Sequence, residues 1–242
     1  MNVPVWVAEL SAAFWKEAGI SPAFPCNLRR PIARAVPLTV VSLPGLRIAT
    51  VRRWLRDCGI VCELETPDRP LRACLVARFG HGVCFVDGSD GDAEERFSLA
   101  HELAHFLRDY WYVRQQVRCR LAPTAIAVLD GERPPTVAER LQALLHNIHL
   151  GFQVHLMERD DRGNPANTRI AAAEENADRL AYELLAPAAH VLRHPTRPSR
   201  GALAQTLRAS YGLPGRQAAR YAQILFPAAY VDPLLLRLRN HV

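Results

Sequence analysis

Lysine is almost absent from this chain of 242 residues, because Lys16 is the only one. Arginine therefore supplies nearly all of the positive charge, and the formal net charge is +6. A basic balance indicates nucleic-acid contact mainly where the basic side chains are clustered. The arginines here are scattered along the chain, so the composition alone does not predict a polybasic nucleic-acid-binding patch.

Long apolar runs are also missing, since no stretch reaches the roughly 18 residues that a membrane-spanning helix needs. The first 19 residues contain Glu9 and Glu17 and lack a basic leader followed by an apolar stretch. We therefore expect a cytoplasmic protein without membrane contact. Hydrophobic residues make up 49% of the chain and charged residues 22%, which is typical of a folded globular protein.

The six cysteines do not form a regular set of pairs. Cys58 and Cys62 are four positions apart, but no second pair follows at the spacing of a zinc ribbon. Thiols stay reduced in a cytoplasmic protein, so we predict no disulfide framework. We interpret Cys58 and Cys62 as small, buried apolar residues.

Helical and strand patterns alternate in the first ninety residues, which predicts an α+β fold. The expected helices span 3–18, 28–35 and 47–58. The expected strands span 40–42, 60–66, 71–78 and 83–87. The segment Phe79-Gly80-His81-Gly82 separates the last two strands and predicts a hairpin.

Helices predominate in the rest of the sequence. Asp92 followed by Glu95 is a capping-box pattern for a helix that runs to about Asp109. Residues 110–135 are predicted to be irregular and 151–167 to be polar and rich in turns. Further helices are expected over 136–150, 169–186, 201–211 and 214–225.

The helix after Asp92 contains the residues that predict a metal-dependent reaction. His101 and His105 are four residues apart, so both imidazoles project from one face, about 40° apart around the helix axis. Neutral imidazole suits zinc, and a catalytic zinc keeps one position open for water. Glu102 directly follows the first histidine and is placed to accept a proton as general base. Apolar residues on both sides indicate that the rest of this helix is buried.

A third ligand is expected from the acidic start of the helix predicted over 169–186. Glu174 and Asp178 share one helix face, so Glu174 can bind the metal while Asp178 orients a ligand histidine. Glu175 is the alternative ligand, but its i+4 neighbour is Arg179, which is a poor partner for an imidazole. Acidic residues at a helix start also occur without a metal, because their negative charge interacts favourably with the positive N-terminal end of the helix dipole.

These two motifs together resemble the ImmA/IrrE family of metallo-endopeptidases. The likeness rests on the segment from Arg96 to His105, on the Glu-x-x-Ala-Asp-x-Leu-Ala-x-x-Leu-Leu-x-Pro pattern of 174–187, and on the hairpin before the active helix. It covers roughly residues 45–225. The resemblance implies a minimal gluzincin-like zincin fold, a small twisted sheet with an active-site helix, a glutamate helix and a helical tail.

The resemblance also implies roles and partners. His101, His105 and Glu174 become the ligands of one Zn²⁺ ion, with Mn²⁺ as an alternative, and Glu102 becomes the catalytic base. The last hairpin strand, 83–87, would be the sheet edge along which an extended substrate lies. Family members typically cleave a helix-turn-helix repressor in stress-response or mobile-element circuits, so the expected partner is a protein of that class.

Three segments follow from this interpretation. Residues 1–44 form an N-terminal helical segment, 45–190 the zincin-like domain and 191–242 a helical tail. The interval between His105 and Glu174 is longer than the family leads us to expect, so 110–167 is interpreted as an insertion, either a lid or a specificity element. His146, His149 and His155 within it are weighed as a second ion site but are more typical of a half-exposed helix face.

The rival hypothesis is a non-proteolytic, metal-binding, DNA-binding regulator. The sequence pattern of the tail is typical of a helix-turn-helix. The side chains available for DNA contact are Arg216, Gln217, Arg220 and Gln223. Packing is the alternative role for these helices. A third hypothesis is an interaction module of a mobile-element or toxin system. The sequence does not identify an oxyanion stabiliser. His190, Tyr182, Tyr110 and Tyr112 are weighed for this role, but a structural role is more typical of each.

Overall fold

A computed structural model describes residues 3–60, 67–121, 123–145, 168–193 and 199–226. The fold is mixed α+β, with a small three-stranded sheet among helices. The strands are β1 (Leu38–Leu43), β2 (Ala73–Arg78) and β3 (His81–Asp87). The α-helices are α1 (Val5–Ala18), α2 (Arg29–Ala35), α3 (Ile48–Asp57), α4 (Asp92–His105), α5 (Tyr112–Arg120), α6 (Ile126–Leu129), α7 (Val137–Leu145), α8 (Thr168–Leu185), α9 (Ala188–Val191), α10 (Arg200–Ala209) and α11 (Gly215–Leu225).

The predicted hairpin is confirmed, but its position in the sheet differs from the expectation. The spatial order is β1-β3-β2, with β1 parallel and β2 antiparallel to β3. Strand β3 is therefore the centre of the sheet and cannot accept a further strand, because both of its edges are already hydrogen-bonded. The prediction that residues 83–87 form the edge for a substrate is wrong, and β2 is the edge strand on that side.

The hairpin has helices on both faces, which explains why its strands are nearly continuous apolar runs. Leu75, Ala77, Cys84 and Val86 face the large core that contains α4 and α8. Cys74, Val76 and Phe85 face a second core against α3. Side chains of a strand alternate between its two faces, so a sheet covered on both sides requires apolar residues at every position.

Helix α4 lies at the centre of the large core. It packs against strands β2 and β3 and, on its other side, along α8, which also contacts α1. Its first residue is Asp92 and its N-cap is Gly91, so the predicted capping box is not formed. Glu95 instead pairs with Arg29, which connects α4 to α2.

The chain stays helical beyond the predicted end of the active helix. A π-helical segment, Phe106–Trp111, joins α4 to α5, and α6 follows after a 3-10 turn at Pro123–Ala125. The prediction that 110–135 is irregular is therefore wrong. Its polar composition concealed helices that bury only a narrow stripe, including Val117, in a small separate core.

The described part of the predicted insertion contacts the tip of the hairpin. Phe79 has a positive φ of 52°, an uncommon conformation for a residue with a side chain. Its backbone N–H donates to Asp130, and the N–H of Gly80 donates to the hydroxyl of Tyr110. Asp130 also forms a buried ion pair with Arg114 at 2.6 Å. These contacts stabilise the turn, whereas residues 146–167, with His146, His149 and His155, lie outside the described residues.

Two smaller expectations have mixed outcomes. Cys26, Cys58, Cys84 and Cys119 have free thiols, as predicted, but Cys58 is exposed, so its interpretation as a buried residue is wrong. Helix α3 ends before it, and a residue after the helix end is not carried into the core. Cys62 and nearly all of the predicted strand 60–66 lie outside the described residues. Within the described ranges, no helix has the length and apolar character to cross a membrane.

Gly82 of β3 packs closely against the π-helical segment that follows the active helix. A Cβ atom at this position would lie 2.7 Å from Leu38 Cδ1 and 2.7 Å from Phe106 Cε2, and both side chains are buried. We expect Gly82→Ala to destabilise the fold by roughly 1–3 kcal/mol, the usual cost of overpacking a core. Urea unfolding followed by circular dichroism measures this loss.

Gly201→Ala is the matched control, because Gly201 is in the first turn of α10 and the new methyl group meets nothing closer than 4.0 Å. This change should leave stability unchanged or raise it by about 0.5–1 kcal/mol. Equal effects of the two substitutions would contradict the close packing described at Gly82.

Candidate metal centre

His101 and His105 point their imidazoles at the same position, as their spacing predicts. Their Nε2 atoms are 3.2 Å apart, and the ring centroids are separated by 4.8 Å. Both residues are in the last two turns of α4, where the helix is pressed between the sheet and α8. His105 is almost fully buried and His101 nearly so, with 1% and 13% of their side chains exposed.

Glu174 on α8 completes the group. Its Oε2 lies 3.2 Å from His101 Nε2, and its Oε1 lies 3.4 Å from His105 Nε2. The alternative ligand, Glu175, is turned to solvent and pairs with Arg179 at 2.7 Å. His101, His105 and Glu174 together could hold a metal ion, since one ligand atom from each lies within 4.8 Å of the others. Of the two candidates, only Glu174 reaches the histidines.

Two further carboxylates bind the opposite nitrogens of the two rings. Asp178 Oδ1 lies 2.9 Å from His101 Nδ1, and Asp109 Oδ2 lies 2.9 Å from His105 Nδ1. An ionised carboxylate only accepts hydrogen bonds, so each Nδ1 carries the proton that it donates. In a neutral ring the Nε2 atom is then an acceptor with its lone pair directed at the shared position. Two acceptors at 3.2 Å have no favourable contact unless a positive charge lies between them.

The charged groups around the two histidines favour a positive charge between their Nε2 atoms. Burial alone would lower the pKa of His101, but hydrogen bonds to Asp178 and Glu174 outweigh it and raise the pKa to about 10. The two histidines in turn lower the pKa of Glu174 against the effect of its burial. Oε1 of Glu174 is moreover a buried atom without a hydrogen-bond partner among the described residues. An unsatisfied buried oxygen is costly, and a bound cation would satisfy it. The residues present therefore fit a divalent ion.

Glu102 is on the same helix but is not part of the ligand group. Its side chain is buried yet lines the cleft in front of the histidines. Burial raises the pKa of its carboxyl, while His101 and His105 act in the opposite direction. A carboxylate in this position can exchange a proton with a molecule bound at the ligand group.

The group opens into a cleft of about 820 Å³. One wall is residues 69–74, which lead into the edge strand β2, and the floor is α4. The opposite wall combines α8 with α11 of the C-terminal helical pair, which contributes Arg216, Gln217 and Arg220. No described residue between His105 and Ala171 lines the cleft, so the described part of the predicted insertion does not act as its lid.

The four candidates for oxyanion stabilisation are not in this cleft. His190 is bonded to the hydroxyl of Tyr211, and Tyr110 to the hairpin turn. Tyr182 is fully buried and its hydroxyl donates to Gln217 at 2.6 Å. Tyr112 is exposed on α5, away from the cleft-lining residues. Three of the four side chains considered for DNA contact line the cleft, namely Arg216, Gln217 and Arg220.

Sequence reasoning missed two residues of the centre. Asp109 is four residues after His105 and lies on the π-helical segment, so a signal was present in the spacing His-x-x-x-Asp. Arg220 donates to Asp178 Oδ2 at 2.6 Å from α11. No local pattern connects Arg220 with Asp178, because 42 positions separate them.

Comparisons of the chain with protein-family models, with curated proteins and with solved structures found no match. The fold and the side chains of the site alone therefore define the class of protein. It is an α+β protein with a two-histidine, one-carboxylate group that could hold a metal ion in an open cleft.

The two adjacent glutamates of α8, Glu174 and Glu175, provide a direct test of the ligand set. Glu174→Ala should abolish stoichiometric zinc binding, because it removes one of three protein ligands. Glu175→Ala should leave zinc content unchanged, since its side chain pairs only with Arg179. Metal analysis of the purified variants measures both, and retention of zinc by the Glu174 variant would exclude it as a ligand.

Asp109 allows a second test, on a residue that is bonded to His105 but is not part of the candidate ligand group. Asp109→Asn keeps the shape of the side chain but weakens its acceptance from His105 Nδ1. We expect zinc affinity to fall roughly 10–100-fold, the usual effect of removing a carboxylate behind a ligand histidine. Competition with a chromophoric chelator measures the affinity, and a value equal to that of the unsubstituted protein would refute the role of Asp109.

Proposed function

We propose that the protein is a zinc-dependent endopeptidase with a minimal gluzincin-like fold. The observation that carries the proposal is Glu102, a buried carboxylate that faces the cleft beside the two histidines without joining their ligand group. A metal site with a purely structural role has no need of such a residue. The resemblance of the two motifs to ImmA/IrrE metallo-endopeptidases supports the same proposal.

The separations within the ligand group support zinc. Ligands about 2.1 Å from a tetrahedral zinc are roughly 3.4 Å from one another. The two histidine Nε2 atoms are 3.2 Å apart, close to this value. His101 and His105 approach different oxygens of Glu174, Oε2 at 3.2 Å and Oε1 at 3.4 Å. Two imidazoles and one carboxylate are also the ligand set of many catalytic zinc sites. Mn²⁺ is the alternative, and its preference for oxygen ligands argues against it.

The chemistry divides between the ion and the protein. A zinc ion bound here would acidify a coordinated water and polarise a peptide carbonyl. The Glu102 carboxylate takes the proton of the attacking water and later delivers it to the leaving amine nitrogen. Asp178 and Asp109 keep both ligand histidines in the tautomer that carries its proton on Nδ1 and none on Nε2. The buried position of Glu102 limits competing hydrogen bonds from solvent.

The substrate is proposed to be an extended segment of another protein. The cleft runs along residues 69–74, and β2 has a free edge in the described sheet, so a peptide can add to it as a strand. A helix-turn-helix repressor is the partner that the family resemblance supports. Arg216, Gln217 and Arg220 face this cleft, which favours a role at the site over DNA contact.

Glu102→Gln tests the proposal. The amide retains the shape of the side chain but cannot accept the proton, so hydrolysis should fall at least about 100-fold while zinc content stays equal. The substrates are a complex peptide library, read by mass spectrometry, and any repressor encoded beside the gene.

Glu95→Gln is the matched control, because Glu95 is also on α4 but pairs with Arg29 and does not line the cleft. This variant should cleave within a few-fold of the unsubstituted protein. Full activity of the Glu102 variant would refute the base, and a zinc-loaded protein that cleaves none of these substrates would refute the endopeptidase.

A further inference from the structure

The carboxylate of Asp178 has a different partner on each oxygen. Oδ1 accepts from His101 Nδ1 at 2.9 Å, and Oδ2 accepts from Arg220 Nη1 at 2.6 Å. The side chain of Asp178 is only 13% exposed, whereas that of Arg220 is 46% exposed. One carboxylate thus connects a candidate metal ligand on α4 with a cation on α11.

Helix α11 is held firmly in the position that this contact requires. Tyr221, next to Arg220, is buried and stacks on Tyr182 of α8 with ring centroids 4.7 Å apart and an interplanar angle of 11°. Its hydroxyl is bonded to Glu183 and to the carbonyl of Ala186. One turn earlier, Gln217 accepts from the Tyr182 hydroxyl. The backbone of α11 near Arg220 is therefore fixed against α8.

The active helix is connected to the same C-terminal pair. Arg96, at the start of α4, donates to the carbonyl of Gly212 in the turn between α10 and α11 at 2.9 Å. The turn fits closely, because a Cβ atom on Gly212 would lie 2.6 Å from Arg96 Nη1. Side chains thus connect α4 with the turn before α11, and α8 with α11 itself.

From these contacts we infer that Arg220 is a positioning residue of the metal centre, acting on His101 through Asp178. A carboxylate with a single hydrogen-bonded oxygen can turn about its last bond, and the imidazole that it holds turns with it. The guanidinium fixes the second oxygen with a short, charge-assisted bond and so fixes the plane of the carboxylate. The predicted tail, 191–242, thereby supplies part of the site. The inference rests on the metal binding in the proposed function.

An ordinary surface ion pair would act differently. Exposed pairs contribute little to stability, and arginines at the ends of exposed helices are commonly solvated. Arg220 is only half exposed, and its partner is nearly buried and already bonded to a ligand histidine. Replacing Arg220 should therefore lower the zinc affinity and leave the stability of the metal-free protein almost unchanged. This difference separates a positioning role from a merely structural one.

A double-mutant cycle on the full chain tests the inference. Zinc affinity is measured by chelator competition for the unsubstituted protein, Asp178→Asn, Arg220→Gln and the double variant. Asp178→Asn should lower affinity roughly 10–100-fold and Arg220→Gln roughly tenfold. In the Asp178→Asn background, Arg220→Gln should have no further effect beyond about twofold, because residues that act through one contact are not additive.

Two single variants complete the design. Arg216→Gln is the matched control, since Arg216 lines the same cleft one turn earlier but does not contact Asp178, and its zinc affinity should be unchanged. Arg220→Lys should lose less affinity than Arg220→Gln, because lysine keeps the charge without the planar donor geometry. Thermal unfolding of each metal-free variant checks that the fold is retained, and the Arg220→Lys comparison serves if Arg220→Gln does not fold.

The outcomes separate this inference from the function on which it rests. If the unsubstituted protein binds no zinc, the proposed function fails. If it binds zinc but Arg220→Gln lowers affinity equally with and without the Asp178 carboxylate, only the positioning role fails. The same follows if Arg216→Gln reproduces the loss, or if Arg220→Lys is as weak as Arg220→Gln.

Discussion

The structure depends on one electrostatic constraint, the convergence of two imidazole lone pairs and a carboxylate at a single, nearly buried position. Oε1 of Glu174 has no hydrogen-bond partner among the described residues, and the two histidine Nε2 atoms lie only 3.2 Å apart. Packing holds them there, because α4 lies between the sheet and α8 and both helices bury apolar faces along their contact. Burial of apolar side chains in the core thus stabilises an arrangement of the two histidines and Glu174 that favours a bound positive charge.

The carboxylates behind the ligands come from separate parts of the fold. Asp109 is on the π-helical continuation of the active helix, Asp178 is one turn beyond Glu174 on α8, and Arg220 approaches Asp178 from α11. Asp109 and Asp178 each accept a hydrogen bond from one of the two candidate ligand histidines, and Arg220 donates to Asp178. The cleft is consequently built by three helices and the edge of β2, and the C-terminal pair is part of its wall.

Much of this arrangement follows from local sequence pattern, and the errors have identifiable causes. The hairpin, the long helices and the pairing of His101 with His105 depend on periodicity over a few residues, which one sequence displays directly. The helices after Tyr110 bury narrow stripes, so their polar composition resembled irregular chain. The strand order was wrong because β1, separated from β3 by some forty residues, pairs with it in parallel and moves the edge to β2.

By itself the sequence determined which side chains can meet an ion from one helix, because four residues of α-helix always return to the same face. It also determined that Glu102 follows the first histidine and that the acidic residues of a second helix are the candidates for a third ligand. Only the tertiary structure chose Glu174 over Glu175, since the rotation of α8 against α4 turns one carboxylate inward and leaves the other with Arg179. The contact between Arg220 and Asp178 was likewise decided by packing, because the stacking of Tyr221 on Tyr182 sets where α11 lies.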